Sequence, residues 1–354
     1  MITQPKNILF YIAKYLKIYD HLQLRATCKK MYVLSEFIYK EHEFQLNSES
    51  QLDFAAKFNK LRINFNSRHI HSKYSWRTRI LYAAPMTCLC CLPAFEALEE
   101  LHIQKICNNC PKMPNLVKLI TEQTGKINNW PNLFPELKYL SLGRIFNEKL
   151  VYFPKLETLI LGENFNKDID IIGSQIKKLK LGYSFDKNID YLAGKMPNLT
   201  SLSIKNNIGQ KFINSCNLIS LSTRAEISYP KFLKKLSTNM PNKIVLPELE
   251  TLKFKCFTNK HVVHQLPKLK KLLFYPSDKS CFQDNSAVYP TVEKIICKMP
   301  VVVSETIFPG LKVVKNKPPC FINTITNEEK LHSIFVKDYP EKVYSAEHIK
   351  TSIK

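Results

Sequence analysis

The chain repeats one short apolar phrase at intervals of about twenty residues, the signature of a stacked repeat rather than of a closed globular core. An apolar residue is followed by two variable residues, a leucine, one variable residue and a further apolar side chain. The clearest copies are Leu137/Leu140/Leu142, Leu156/Leu159/Leu161, Leu199/Leu202/Ile204, Leu249/Leu252/Phe254, Leu269/Leu272/Phe274 and Val292/Ile295/Cys297. Each has a proline two residues ahead of its first position. Fainter copies open at Leu98, Leu116, Ile176, Leu218 and Leu311. First positions therefore stand at 98, 116, 137, 156, 176, 199 and 218, then at 249, 269, 292 and 311. Only the interval from 218 to 249 is too long, and it must hold a degenerate copy or an insertion around Phe232 to Leu236.

Side chains alternate along a strand, so the last two apolar residues of each phrase fall on one face of a short strand and the residue between them on the other. One such strand cannot bury its apolar side alone. Stacking one strand from each coil gives a continuous parallel sheet over a shared core, with the proline turning the chain into each strand where no ladder donor is needed. The expected fold is an α/β repeat solenoid with a short parallel strand per repeat. Leu140, Leu142, Leu159, Leu161, Leu202, Ile204, Leu252, Phe254, Leu272 and Phe274 should be buried.

This phrase resembles the leucine-rich repeat. The asparagine that the family carries three residues after the last core leucine stands at Asn164 and Asn207, but is Ile145 and Ser184 in other copies. Three consecutive coils continue as Gly143-Arg-Ile-Phe146-Asn147-Glu-Lys-Leu150, Gly162-Glu-Asn-Phe165-Asn166-Lys-Asp-Ile169 and Gly182-Tyr-Ser-Phe185-Asp186-Lys-Asn-Ile189. They resemble the FNIP repeat, a leucine-rich variant of amoebal and giant-virus proteins, without its later proline. Glycine would turn the chain out of the strand, and Phe with the later Leu or Ile would fill the next layer of core.

Residues 5 to 34 carry a different pattern. Apolar residues at 8, 9, 12 and 16, then at 24, 28, 31 and 32, put one buried face on each of two helices, with Asp20 placed to cap the second. Pro5, Ile8, Leu9, Ile12, Tyr15, Leu16, Asp20, Leu22, Cys28, Lys29 and Leu34 resemble the F-box; Asn7, Thr27 and Met31 depart from its glutamate, valine and tryptophan. The resemblance implies docking on a Skp-type adaptor of a cullin ubiquitin ligase, with Pro5, Ile8, Leu9, Ile12, Leu16, Leu22 and Leu24 as the adaptor-binding face. Substrates would then be presented by the repeats. Without an adaptor, the same helices would cap the solenoid's first open edge.

The resulting organisation is an F-box-like helical module over 1–45 and a linker or N-terminal cap over 46–92. In that second segment Phe58, Leu61 and Ile63 fit a diverged repeat. Repeats occupy 93–317, and a cap or flexible tail 318–354. The longest uncharged stretch, Ile80 to Phe95, is shorter than a membrane span and broken by Pro85 and Pro93, so it is assigned to the fold's interior. No secretory signal is visible at the start. The protein is accordingly expected to be intracellular, cytoplasmic or nuclear, with reduced thiols and no membrane partner.

Charge adds a partner question. A formal net charge of +22 points towards polyanions, but only seven of the 52 basic residues are arginines. Lysine-dominated charge is poor material for bidentate recognition of phosphates and bases, so nucleic acid is the lesser alternative to a protein partner. Residues between the core leucines should project from the concave sheet. They include Lys177, Lys178, Lys180, Lys253, Lys270, Lys271 and Lys294 in the later repeats, against Glu99, Glu100 and His102 in the first clear one. Such a face would favour an acidic protein segment near its C-terminal half.

Two kinds of chemistry remain to be weighed. Cys88-x-x-Cys91 and Cys107-x-x-Cys110 have four-thiolate zinc spacing, and His69, His71 and His102 lie near enough in sequence to substitute. Leu98, Leu101 and Ile103 between the pairs already fit a repeat strand, which assigns these cysteines to the core, and no metal or other cofactor is expected. No GxxxxGK[ST], GxGxxG, GxSxG or HExxH phrase occurs, and eight glycines leave little for phosphate-cradling loops. The chain is thus expected to be an interaction scaffold rather than an enzyme, with or without a ubiquitin link.

Overall fold

The period of the apolar phrase becomes a period of strands in the computed structural model, which describes residues 43–46, 57–63, 78–83, 96–106, 110–124, 127–170, 173–205, 210–224, 228–239, 245–254, 266–274, 289–297 and 308–316. The chain divides into two compact units, Met1–Gly173 and Ser174–Lys354. The first holds β1 (Glu43–Leu46), β2 (Lys60–Ile63), β3 (Ile80–Ala83), β4 (Glu100–Ile106), β5 (Lys118–Thr124), β6 (Tyr139–Leu142) and β7 (Thr158–Ile160). In the second lie β8 (Lys178–Lys180), β9 (Ser201–Ser203), β10 (Ser220–Ser222), β11 (Lys235–Thr238), β12 (Thr251–Phe254), β13 (Lys271–Phe274), β14 (Lys294–Cys297) and β15 (Val313–Asn316). Within each unit every strand pairs in parallel with the next in chain order, the topology of a leucine-rich-repeat solenoid.

Register follows the leucines. Leu61, Leu81, Leu101, Leu119, Leu140 and Leu159 form one aligned column in the first unit. Leu179, Leu202, Leu221, Leu236, Leu252, Leu272 and Ile295 form one in the second. All these side chains are buried. So are Leu142, Leu161, Ile204 and Phe254, which complete the strand phrase; Phe274 lies among residues whose side chains are not described. A one-residue slip of any strand would turn its column to solvent, so the pattern fixes the register.

The proline has a defined task. Its predecessor is a core residue in Met113, Phe134, Phe153, Met196, Leu246, Leu266 and Phe308, and that residue's carbonyl accepts the N–H of the first phrase position three residues on. Proline at the corner of such a turn presets the backbone and gives up a donor that the turn does not use. Just beyond the turn, two successive N–H groups share a carbonyl of the preceding coil, as Lys138 and Tyr139 share that of Val117. The ladder therefore begins ahead of the strand.

Three strands lie outside the stretch that the phrase marks clearly. β2 is the diverged repeat at Phe58. β3, within the uncharged stretch, puts Leu81 in the core column and Thr78 at the first position. Thr78 is buried, and its Oγ1 donates to the Phe58 carbonyl at 3.1 Å, which makes a hydroxyl tolerable at an apolar site. β1 starts the described strands at Glu43, so three coils precede residue 93. The long interval after 218 holds a copy rather than an insertion. It is Leu233/Leu236/Thr238, with a buried threonine at the last position.

Phe146, Phe165 and Phe185 are buried with Leu150, Ile169 and Ile189, and Phe146 stacks parallel on Phe165 with centroids 5.8 Å apart. Asparagine satisfies backbone two positions later than the repeat pattern places it. Asn147 Oδ1 accepts the Asn166 N–H at 2.9 Å, while Asn164 is exposed and uses its own N–H on the Arg144 carbonyl. Short helices, α1 (Trp130–Leu133) and α2 (Gln210–Ser215), occupy connections between strands. Among the described residues no helix is long and apolar enough to cross a membrane.

Candidate functional interface

Because the core takes every second strand residue, the alternate residues form an outward sheet face whose chemistry is free of packing demands. In the first unit this face is a paired network. Arg62 donates to both Glu43 carboxylate oxygens, at 2.6 and 3.2 Å, and its guanidinium lies 4.6 Å from the Tyr82 ring centroid. Tyr82 meets His102 at 4.4 Å between ring centroids. His102 Nε2 is 2.5 Å from Glu100 Oε1, to which Lys118 also donates at 2.8 Å. Lys118 in turn sits 5.4 Å from the Tyr139 ring. Partial burial raises the Glu100 carboxyl, but hydrogen bonds from Lys118 and His102 outweigh it and leave it below the usual carboxylate range.

That balance is measurable. A carboxyl whose folded pKa is depressed contributes stability above its unfolded pKa, about 4.3 for glutamate, and loses it as pH falls through the folded value. Replacing Glu100 by glutamine is expected to lower stability near neutral pH by on the order of 1 kcal/mol or less, since the group is partly solvated. The difference from wild type should shrink towards zero in acid. Thermal unfolding at pH 7 and pH 3 reads both; a deficit that grew in acid would contradict the network.

The second unit's face has another character. Lys178, Lys180, Lys235, Lys253, Lys271 and Lys294 occupy outward strand positions. The outward residues of β9 and β10 are all serine: Ser201, Ser203, Ser220 and Ser222. In register these read Lys178–Ser201–Ser220–Lys235 along one row and Lys180–Ser203–Ser222–Ser237 along the next. A trough of short hydroxyls is thus bordered by lysines. No carboxylate, arginine or aromatic stands at an outward strand position of β8–β15 among the described residues.

Carboxylates do occur in this unit, off those positions. Glu248 pairs with Lys268 at 2.8 Å, Glu250 with Lys234 at 3.6 Å and Glu293 with Lys312 at 3.1 Å, all in turns or just ahead of strands. Asp190 accepts the Phe212 N–H at 2.8 Å. Beyond the C-terminal ends of β8–β10, Tyr183 receives a hydrogen bond from Arg224 and has Lys205 Nζ 3.4 Å from its ring centroid.

Of the lysines anticipated from sequence, Lys178, Lys180, Lys253, Lys271 and Lys294 sit on strands, while Lys177 and Lys270 fall one residue ahead, at the border of the face. Glu100 and His102 are outward on β4; Glu99 precedes it and pairs with Arg79 at 2.5 Å. Sequence reasoning missed Lys235 and the serines. Finding Lys235 required placing the copy at Leu233, whose last apolar position is a threonine. The serine rows required aligning β9 with β10, which their shared Ser-Leu-Ser phrase permits.

The proposed adaptor-binding residues, Pro5, Ile8, Leu9, Ile12, Leu16, Leu22 and Leu24, lie outside the described residues, as do Cys88, Cys91 and Cys107. Cys110 is buried, its thiol 3.5 Å from the Pro111 carbonyl. Among the described residues no group of three or more His, Cys, Asp or Glu is placed to hold a metal ion.

No family model and no curated protein matches the chain. Among solved structures the chain is similar to CroV588, whose crystal structure is described as a novel circular LRR protein structure, at 15% identity and a TM-score of 0.49. That match covers 86% of this chain and 53% of CroV588, so the chain spans about half the length of that protein.

Proposed function

We propose that this chain is a protein-interaction scaffold whose repeats hold a protein partner on the outward sheet face, and whose residues 5–34 dock a Skp-type adaptor of a cullin ubiquitin ligase. One observation carries the scaffold reading: the solenoid buries its column leucines and leaves, across the eight strands of the second unit, an ordered set of outward side chains in which lysine, serine and threonine predominate beside Leu273, Ile296 and Val313. A surface of that kind suits an extended partner. The adaptor reading is supported by the run from Pro5 to Leu34 that resembles an F-box, standing ahead of leucine-rich repeats.

Adaptor binding is tested on the full chain. Replacing Ile8 and Leu9 together by aspartate should abolish co-purification of a Skp-type adaptor, because apolar anchors in a groove supply most of such binding energy. Far-ultraviolet dichroism and the unfolding midpoint of the repeats should be unchanged. If the wild-type chain captures no adaptor, or if the double variant instead destabilises the repeats from their N-terminal end, the segment is a cap.

A further inference from the structure

We infer that the second unit's lysine-and-serine face is a docking surface for an Asp/Glu-rich polypeptide segment, seated on the serine trough of β9 and β10 between Lys178 and Lys180 on one side and Lys235 on the other. This names the partner class for the scaffold reading above and rests on it.

Charge placement is the first argument. Lysine is abundant throughout this chain, so its presence on a surface means little by itself. What selects this face is where the carboxylates stand. Glu248, Glu250 and Glu293 each pair with a lysine of a neighbouring coil, yet the outward strand positions of β8–β15 hold none among the described residues. The first unit differs, since Glu43 and Glu100 stand on its face and neutralise Arg62 and Lys118. Six like charges on strands spaced about 4.8 Å apart repel one another, and a polyanion laid across them relieves that repulsion.

Shape and donor chemistry narrow the polyanion. β9 and β10 present only serine, so a strip two strands wide is lower than its lysine borders. From β8 to β11 the strip spans about 14 Å, three strand spacings, wide enough for a peptide backbone. Serine hydroxyls donate to carboxylate oxygens at short range while lysine supplies charge on a flexible stem. Nucleic acid fits less well. Single strands are held by stacking bases on aromatic or arginine planes, and phosphates by forked arginine contacts. Among the described residues the outward strand positions of this face have neither, and the nearby Arg224 and Tyr183 already engage each other.

The test uses the full chain, a fluorescein-labelled peptide of twelve alternating Asp and Glu residues, and a labelled oligodeoxythymidine carrying the same number of charges. Anisotropy titrations at low and physiological salt should show the peptide bound more tightly than the oligonucleotide at both. Lys178→Glu, Lys180→Glu and Lys235→Glu combined should weaken peptide binding at least tenfold. Lys149→Glu, Lys167→Glu and Lys187→Glu, combined in exposed loops, change net charge equally and should weaken it less than twofold. The same face lysines changed to glutamine should give an intermediate loss, which guards against a folding defect in the reversal variant. Equal losses in the two triple variants would reduce the effect to net charge and overturn the inference, as would tighter binding of the oligonucleotide. A peptide that fails to bind while a photocrosslinker at Ser222 still captures a protein partner in cells would overturn the acidic class alone and leave the scaffold reading standing. Adaptor capture is measured separately, and the Ile8/Leu9 variant should bind the peptide as wild type does.

Discussion

Replacing Phe165 by alanine is expected to remove about 3–5 kcal/mol from the first unit. The ring has no solvent exposure and stacks on Phe146 at 5.8 Å, so truncation forfeits its transfer free energy and leaves a hole that a stacked coil cannot collapse to fill. In a solenoid each coil is stabilised by its neighbours, and the damage should centre on the two coils whose phenylalanines meet. Chemical denaturation gives the size and hydrogen exchange at β6 and β7 gives the place. Ile145 is the internal comparison: it stands one residue from Phe146 but is 56% exposed, and Ile145→Ala should change stability by less than about 0.5 kcal/mol. A loss below about 1 kcal/mol for Phe165→Ala would mean that this phenylalanine layer is not part of the packed core.

Much of this architecture is legible because one physical rule, apolar residues alternating on a short strand, is applied repeatedly with little variation. Leu140 and Leu159 in the first unit, and Leu202 and Leu252 in the second, announce the column of their own unit by spacing alone. The rule becomes unreadable where one of its apolar residues is exchanged for a hydroxyl. Thr78 sits at a first position and Thr238 at a last one, each buried, and each blurs the phrase of its coil for that reason. Thr78 is tolerated because its hydroxyl reaches the Phe58 carbonyl, a contact that spacing cannot reveal. The face is half legible. Lysines between leucines are visible in sequence, but whether a carboxylate stands beside them depends on register across coils, which a linear reading does not supply. Glu100 shows this best, since its neutralising partner Lys118 lies one strand away and eighteen residues later.

A second large effect is expected at Gly162, for a reason distinct from backbone freedom. A Cβ added there would lie 1.9 Å from the Gly143 carbonyl oxygen and 2.7 Å from the Arg144 Cα, an overlap with main-chain atoms of the preceding coil that no rotamer change can relieve. Gly143 stands in the same relation to the backbone of Glu122. Where the chain leaves β6 and β7, successive coils therefore touch backbone to backbone, and glycine is the side chain that fits. Gly162→Ala should force the two coils apart and reduce stability by about 3 kcal/mol, the upper end for overpacking, because the neighbour is rigid. Gly194 separates the two uses of glycine. Its φ is +81° and a Cβ added to it would meet no atom within 4 Å, so Gly194→Ala meets only the left-handed backbone penalty, about 1 kcal/mol. Denaturation midpoints of the two variants should differ accordingly, and enlarging the residue at 162 to valine should worsen the defect while the same change at 194 adds only modestly. Equal losses at the two positions would show that coil spacing at Gly162 is not set by main-chain contact.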